Sequence, residues 1–381
     1  MGDGRRGQGV GKGRWRRESP RFGLILGLSP SRIAGGFQEL YSTMRVLLKV
    51  DALAGGIKDY TSFLCQSLLK RGVKCEITYK PGFLPSGVDL IHYQLGNSSW
   101  KVGNDILFNR RKLVVITLHD IFQMRWLPRL IYPLILKGRL CMADSVVLHS
   151  QNARKLFRER YGATLASKVT VIPHGINIAS IDQYVARQRL GLPGEAFIFV
   201  AAGARRYKGI EQIIEAFSGL SQEDVKLIIV GGRKKKYIEG LRQTCEDARI
   251  RFWGFATEEE LDYLLAAADI IVQYKSRSVG ESSGILSRVI GLRKPVISSN
   301  IEPIPEDLGG CGILIEPDSP SALRECMLEV VSNRGPLDCA VRGMVSIAAD
   351  RSWEAVADKH IALYNSLLKS ESRGQGSKLG L

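Results

Sequence analysis

The stretch VAAGARRYKGIEQIIEAF, residues 200–217, sets Arg205, Arg206 and Lys208 between an apolar run and an amphipathic one. Where a strand feeds a helix, free backbone N–H groups and side-chain cations can hold an anion together. Arg offers a rigid fork and Lys a mobile point charge, so Arg205 and Lys208 are the residues expected to neutralise a diphosphate. The turn lacks the pattern GxxxxGK[ST], which argues against a P-loop nucleotidase. A second anion loop is expected in SRSVGESSGILSRVIGL, where Ser282, Ser283 and Gly284 open an apolar helix. Glu281 beside them reads either as an acceptor for ribose or sugar hydroxyls or as a favourable charge at a helix start. Glu306, in EPIPEDLGG, carries the same two readings. Gly55 and Gly56 permit a tight turn and bring backbone N–H groups close to an anion, although an ordinary turn explains such a pair as well.

The histidines offer proton chemistry. His119 ends the run KLVVITLHD, and a titratable group at the carboxyl end of a strand is placed for substrate contact. His174, in VIPHG, is a second candidate. His92 and His149 read as core or loop histidines, and His360 as structural. The five are too widely spaced along the chain to suggest zinc, and the seven cysteines form no CxxC. No metal site and no cofactor beyond a substrate nucleotide is expected.

These residues need a frame. From Met44 short apolar runs alternate with longer amphipathic ones: MRVLLKV, VKCEITYK, VDLIHYQL, KLVVITLHD, ADSVVLHS and VTVIPHG read as strands. A second series begins at AFIFVAAG and continues through VKLIIVGG, IRFWGF, DIIVQYK, KPVISSN and GILIEP. That grammar predicts an α/β protein of two Rossmann-like domains, each a mostly parallel sheet covered by helices, facing one another across a cleft. The expected divisions are a basic, disordered tail over 1–43, a first domain over 44–185, a second over 186–350, a terminal helix over 351–369 and a polar tail over 370–381.

Lys and Arg outnumber Asp and Glu by 54 to 38, a formal charge of +16 that favours phosphates, anionic membrane or nucleic acid without choosing among them. The basic residues lack interleaved aromatics and any reader motif, so no specific nucleic-acid partner is expected. Scattered cysteines suit a reduced, cytoplasmic setting. The stretch MRWLPRLIYPLILKGRLC, 124–141, mixes Trp and Leu with Arg125, Arg129, Lys137 and Arg139. It reads either as a face for peripheral contact with anionic membrane or as a helix pair packed on the sheet, its prolines interrupting the helical pattern.

Together, AGGIKDYTSFLCQSLLKRG, VITLHD, VVLHSQNARKLF, VIPHGIN, ARRYKGIEQIIEAF, LIIVGG, IRFWGFATEEELDYLLAAADIIV and GLRKPVISS resemble, in order and spacing, the GT-B glycosyltransferases of retaining family 4. The resemblance spans about Met44 to Lys369. It implies a UDP-, GDP- or ADP-hexose donor and a sugar or lipid-linked hydroxyl acceptor. It further implies that Gly55 and Gly56 lie near the donor, that His119 touches the donor sugar, and that Arg205 and Lys208 neutralise the leaving diphosphate. Ser282, Ser283 and Gly284 would bond that diphosphate, with Glu281 beside it. The family commonly carries two glutamates as E-x7-E. Here Gly280 and Arg288 hold those places, with Glu281 one residue away. Arg288 cannot accept a hydroxyl hydrogen bond, so an inactive glycosyltransferase-like binding subunit stands as the alternative.

Overall fold

The computed structural model describes residues 44–50, 56–80, 82, 84–96, 105–109, 111–121, 132–231, 235–276 and 282–376. The tail over 1–43, Gly55, Glu281 and the first part of the 124–141 stretch, Arg125 and Arg129 included, lie outside them.

Strands β1 (Arg45–Val50), β2 (Lys74–Thr78), β3 (Leu90–Leu95), β4 (Leu113–Leu118), β5 (Ser145–Leu148) and β6 (Val169–Val171) form one sheet. Its order is β2-β1-β3-β4-β5-β6, with every neighbouring pair parallel. The second sheet comprises β7 (Phe197–Ala202), β8 (Val225–Val230), β9 (Ile250–Gly254), β10 (Ile270–Gln273), β11 (Val296–Ser299) and β12 (Ile313–Ile315). Its order is β12-β11-β10-β7-β8-β9, again all parallel. Each order reverses once, between β1 and β3 in the first sheet and between β7 and β10 in the second. Ligands in such sheets bind at the carboxyl ends of the strands that flank the reversal.

Parallel sheets need both faces covered, and the sequence supplies apolar residues for both. In β4, Val114, Ile116 and Leu118 enter one core while Leu113 and Val115 enter the other. The first domain's helices are α1 (Gly56–Lys70), α2 (Tyr132–Met142), α3 (Gln151–Tyr161) and α4 (Ala163–Ala166). One face packs on Leu136 and Leu140 of α2, Phe157 of α3 and Leu165 of α4; the opposite face packs on Tyr60, Leu64 and Leu68 of α1. The helix α2 forms despite Pro133, which falls in its first turn, where a proline costs no intrahelical bond. Arg139 on this helix is 3% exposed, so it cannot belong to the exposed basic face expected over 124–141.

Helix α5 (Gln183–Leu190) spans the expected boundary between the two domains at 185 and 186. Its ends are marked by an Asp182 side chain capping Val185 N and by left-handed Gly191. Its buried face carries Arg187, whose guanidinium meets Asp269 at 2.6 Å, so an ion pair stands where a longer helix would show an apolar stripe. The second domain adds α6 (Ile210–Ser218), α7 (Lys235–Thr244), α8 (Glu258–Ala267), α9 (Gly284–Gly291), α10 (Ile304–Leu308), α11 (Pro320–Ser332), α12 (Gly335–Val341) and α13 (Met344–Asp350). Helices α6 and α11 cover one face of its sheet, α8 and α9 the other.

The last helix, α14 (Trp353–Gly376), runs seven residues beyond the end expected for it. It returns to the first domain, where Trp353, Val356, Ala357, Ile361 and Tyr364 join the core of β1 and α1. The crossing is close: a Cβ on Gly175 would stand 2.4 Å from the Trp353 ring. Only glycine fits there.

Candidate functional site

Between the two sheets opens a cleft of about 380 Å³. The loop after β7 supplies its cationic edge. Ala204 is buried, Arg205 is exposed, and a short 3-10 turn over Arg206–Lys208 carries the chain into α6. Gly209 closes the turn at φ 55°, and a Cβ there would stand 2.6 Å from the Tyr274 ring, so both conformation and space require glycine. Lys208 Nζ lies 3.5 Å from the side-chain oxygen of Gln273, whose amide nitrogen in turn donates to Ala202 O at 2.8 Å. Arg205 and Lys208 both line the cleft.

Across the reversal, β10 leads to Lys275, 1% exposed yet lining the same cleft. Its backbone N–H donates to Ser299 Oγ at 2.7 Å. Ser282, Ser283 and Gly284 line the cleft at the start of α9, and the Ser283 side chain makes no capping bond. The N-terminal N–H groups and dipole of α9 therefore face the space beside Arg205 and Lys208. Asp307 supports this loop from α10: Ser282 Oγ donates to it at 3.1 Å and Ser283 N at 3.4 Å. Burial pushes the Asp307 carboxyl up to about 6, opposed by those two bonds and by the charges of Arg351 and Lys275.

Glu306, the neighbouring residue, does different work. Its carboxylate crosses to the first domain and accepts from Gln151 N at 2.6 Å and Asn152 N at 3.0 Å. Those are unpaired N–H groups in the first turn of α3, where Ser150 already caps Ala153 N at 2.9 Å. Arg351 holds the backbone carbonyls of both Glu306 and Asp307, at 3.0 and 2.8 Å. One short helix thus clasps the opposite domain with one carboxylate and props the serine loop with the next. Of the two readings for Glu306, the helix-start charge describes its place, on a helix of the other domain.

The first domain supplies the facing wall: Gly56, Asp59, Tyr60 and Phe63 from α1, then His174, Gly175 and Trp353. His119 is not among the residues lining the cleft. It lies behind Tyr60, ring centroids 4.9 Å apart, with Nε2 3.1 Å from Gln94 Oε1 and Nδ1 3.2 Å from His149 Nε2. His174 does reach the cleft, Nδ1 3.2 Å from Ser287 Oγ of the second domain. Burial, then the neighbouring histidines, hold His119 well below the usual imidazole value, and burial lowers His174 as well. The imidazoles of this wall are uncharged at pH 7, and Asp59 is the acidic side chain among its lining residues.

Arg288 also lines the cleft, but its charge is engaged by Glu258 and Asp262 of α8. The structure thus gathers Gly56, Arg205, Lys208, Ser282, Ser283 and Gly284 around one space and sets His119 one side chain behind it. Sequence reading missed Lys275, Asp307 and Tyr60. Lys275 closes DIIVQYK at a strand's carboxyl end, a position that signals a site; Asp307 and Tyr60 stand inside helical segments with no local pattern that marks them. Among the described residues no cluster of three His, Cys, Asp or Glu side chains could hold a metal ion, and no helix is long and apolar enough to cross a membrane.

Two family models match the chain. The model for glycosyl transferases group 1 covers residues 182–342, and that for glycosyltransferase family 4 covers 79–180. The chain is 23% identical over 258 residues to a D-inositol 3-phosphate glycosyltransferase of Segniliparus rotundus, covering 64% of this chain and 57% of that protein. The match thus spans less than two thirds of that relative's length. An O-antigen chain mannosyltransferase B of Escherichia coli is 23% identical over 281 residues, 69% of this chain and 73% of that one. Among solved structures, Anabaena HepE in complex with UDP and glucose superposes with a TM-score of 0.66 at 18% identity, over 85% of this chain and 99% of that one. A sucrose-phosphate synthase from Thermosynechococcus elongatus gives 0.70 at 20% identity, over 86% and 100%. With one family model over each sheet and two parallel sheets facing across a cleft, the chain belongs to the GT-B fold glycosyltransferases of group 1 and family 4.

Proposed function

We propose that the protein transfers a hexose from a nucleoside diphosphate sugar to a hydroxyl acceptor with retention of anomeric configuration. The observation that carries this reading is the convergence of Arg205, Lys208 and the uncapped start of α9 on one side of the interdomain cleft. A diphosphate placed there meets two cations and a helix N-terminus, the charge complement that a departing phosphate needs as its bond breaks. The relatives bound to UDP and glucose favour the same class of donor.

In the proposed step the bond between the anomeric carbon and the diphosphate oxygen breaks. The acceptor oxygen bonds that carbon from the same face, and its proton passes to the departing phosphate oxygen. No protein nucleophile enters this scheme. The acceptor approaches from the first domain, and closure of the cleft excludes water.

A lipid-linked acceptor fits the outer face of the first domain. Phe108 is 86% exposed and Leu134 70%, with Lys137 also exposed on α2. Apolar side chains beside a cation suit peripheral contact with an anionic membrane on its cytoplasmic side.

The test is a thermal-shift and turnover screen of the full chain against UDP-, GDP- and ADP-linked hexoses, with and without lipid extract. Stabilisation by one donor, with nucleoside diphosphate released only in the presence of extract, is the expected result. Stabilisation without turnover in any extract would favour the binding-subunit alternative, for which the engaged Arg288 is the motivating residue. No stabilisation by any donor would sink the reading.

A further inference from the structure

All five histidines of the chain cluster around Tyr60 and Tyr364, with His174 reaching the cleft, although their positions run from 92 to 360. His92 packs on His360 at 5.6 Å between ring centroids, His119 on His149 at 5.0 Å, and His149 on His174 at 5.7 Å. Tyr60 touches three of them, His119, His149 and His174. Three buried polar atoms of this cluster, Tyr60 Oη, Gln94 Nε2 and His360 Nε2, have no hydrogen-bond partner among the described residues.

The hydrogen bonds fix where the protons sit. His149 Nδ1 lies 3.0 Å from the carbonyl oxygen of Ile172, and a carbonyl can only accept, so Nδ1 of His149 carries the proton. In a neutral ring Nε2 of His149 is then a bare acceptor. It faces Nδ1 of His119 at 3.2 Å, so His119 must carry its own proton on Nδ1 and present Nε2 without one. Gln94 Oε1 stands 3.1 Å from that Nε2, an acceptor against an acceptor, while its amide nitrogen lacks a partner. Exchanging the two ends of the Gln94 amide removes the conflict and lets the amide donate to His119.

We propose that His149 is a positioning residue that commits His119 to the Nδ1-protonated tautomer, so that its Nε2 acts as a hydrogen-bond acceptor. The group it serves is a hydrogen-bond donor, first the N–H of the Gln94 amide at rest and, in the ligand-bound cleft, a sugar hydroxyl that competes with it. The second half of that statement rests on the proposed glycosyl transfer; the first half does not. Around the pair stand Tyr60 of α1, His92 and Gln94 of β3, Asp120 after β4, His174 after β6 and His360 and Tyr364 of α14. Asp120 is the single acid among them and is itself engaged. Burial keeps both rings neutral, so each carries a single proton and the hydrogen bonds decide on which nitrogen.

The experiment is nitrogen NMR of the full chain labelled with 15N-histidine, comparing wild type with His149→Leu and His149→Gln. The expected wild-type spectrum at pH 7.5 shows His119 with a protonated Nδ1 and a bare Nε2. In His149→Leu the acceptor is gone and His119 shifts toward the Nε2-protonated form; His149→Gln, which keeps an acceptor oxygen, holds the wild-type form. A His119 protonated on Nε2 in the wild type, or a tautomer unmoved by His149→Leu, overturns the proposal. The remaining signals of His92, His174 and His360 report whether each variant folds, and if Leu fails to fold then Gln and wild type still decide the tautomer. With donor and acceptor in hand, kcat falls about tenfold or more in His149→Leu at near-constant KM and recovers in His149→Gln, as a misassigned tautomer implies. Turnover that fails in every protein while the tautomer behaves as stated would count against glycosyl transfer and not against the role of His149.

Discussion

The two walls of the cleft are built from opposite electrostatic choices. The second-domain wall concentrates positive charge: Arg205, Lys208 and buried Lys275 stand with the start of α9, the Asp307 carboxyl lies behind the serine loop, and Glu258 is taken up by Arg288. The first-domain wall, apart from Asp59 in its lining, is built on groups that burial leaves uncharged: five histidines, each lowered by burial before any other cause, with two tyrosines packed among them. The difference teaches a division of labour. One wall is organised to hold an anion; the other offers neutral imidazole and phenol groups to hydroxyls, with Asp59 as the acidic side chain in its lining. The two are joined by Glu306, a carboxylate of the cationic side that reaches the start of α3 on the neutral side.

The largest expected effect breaks the comparison from the neutral side. His149 is lowered to about 3 and His360 to about 4, against an ordinary value of 6.5. The unfolded chain therefore binds more protons than the folded one between those limits, so stability is complete above pH 6.5 and is lost as pH falls. Each such histidine contributes on the order of 1 kcal/mol per pH unit below 6.5, and the cluster together several. Asp307 works in the opposite sense. Its folded value of about 6 exceeds its ordinary one, so it contributes stability at acid pH that is lost as pH rises toward and through 6. With five groups against one, denaturant melts at pH 5 and pH 7 should differ by several kcal/mol in favour of pH 7. Equal stability at the two values would mean that the histidines are not held neutral.

Next in size is the joint between the walls. Glu306→Ala removes two charge-assisted bonds to N–H groups of the first turn of α3 and should cost about 1–3 kcal/mol of interdomain contact. Small-angle scattering should show a more open molecule, and nucleoside diphosphate should bind several-fold more weakly, since binding then has to close the cleft unaided. An unchanged scattering profile would remove Glu306 from the joint. The smallest effect sharpens the cationic wall. Asp307→Asn abolishes a carboxylate that burial disfavours while weakening its support of Ser282 and Ser283. The two changes offset to within about 1 kcal/mol in stability. The readable consequence is that the stability loss between pH 4 and pH 6 attributed to Asp307 disappears; its persistence would assign that titration elsewhere.

The fold was largely legible because buried parallel strands write continuous apolar runs such as LVVITL and FIFVAA, and because Gly209 marks a turn where nothing else fits. Helix α5 was not legible, since Arg187 and Asp269 hold its inner face and no apolar stripe records it. The anion side of the site could be read from local sequence: ARRYKG and ESSG each place charge or free N–H groups at a strand-to-helix turn. The neutral wall could not. Its histidines are scattered from 92 to 360 and meet only because β3, β4, β5 and the returning α14 converge on Tyr60 and Tyr364. Glu306 could be seen as a charge at a helix start, but the helix belongs to the other domain, which no local pattern reveals.

The measurement that bears most directly on the central claim is calorimetric titration of nucleoside diphosphate into wild type, Arg205→Ala/Lys208→Ala and His119→Ala in parallel. The account predicts that the double substitution weakens binding by at least about a hundredfold, the cost of removing two charge-assisted contacts to phosphate. It predicts that His119→Ala, on the neutral wall, stays within about threefold of wild type, because that residue meets no diphosphate (roughly half a tenfold step in affinity). Undiminished affinity in the double variant, or a larger loss in His119→Ala than in it, would contradict the division between the two walls.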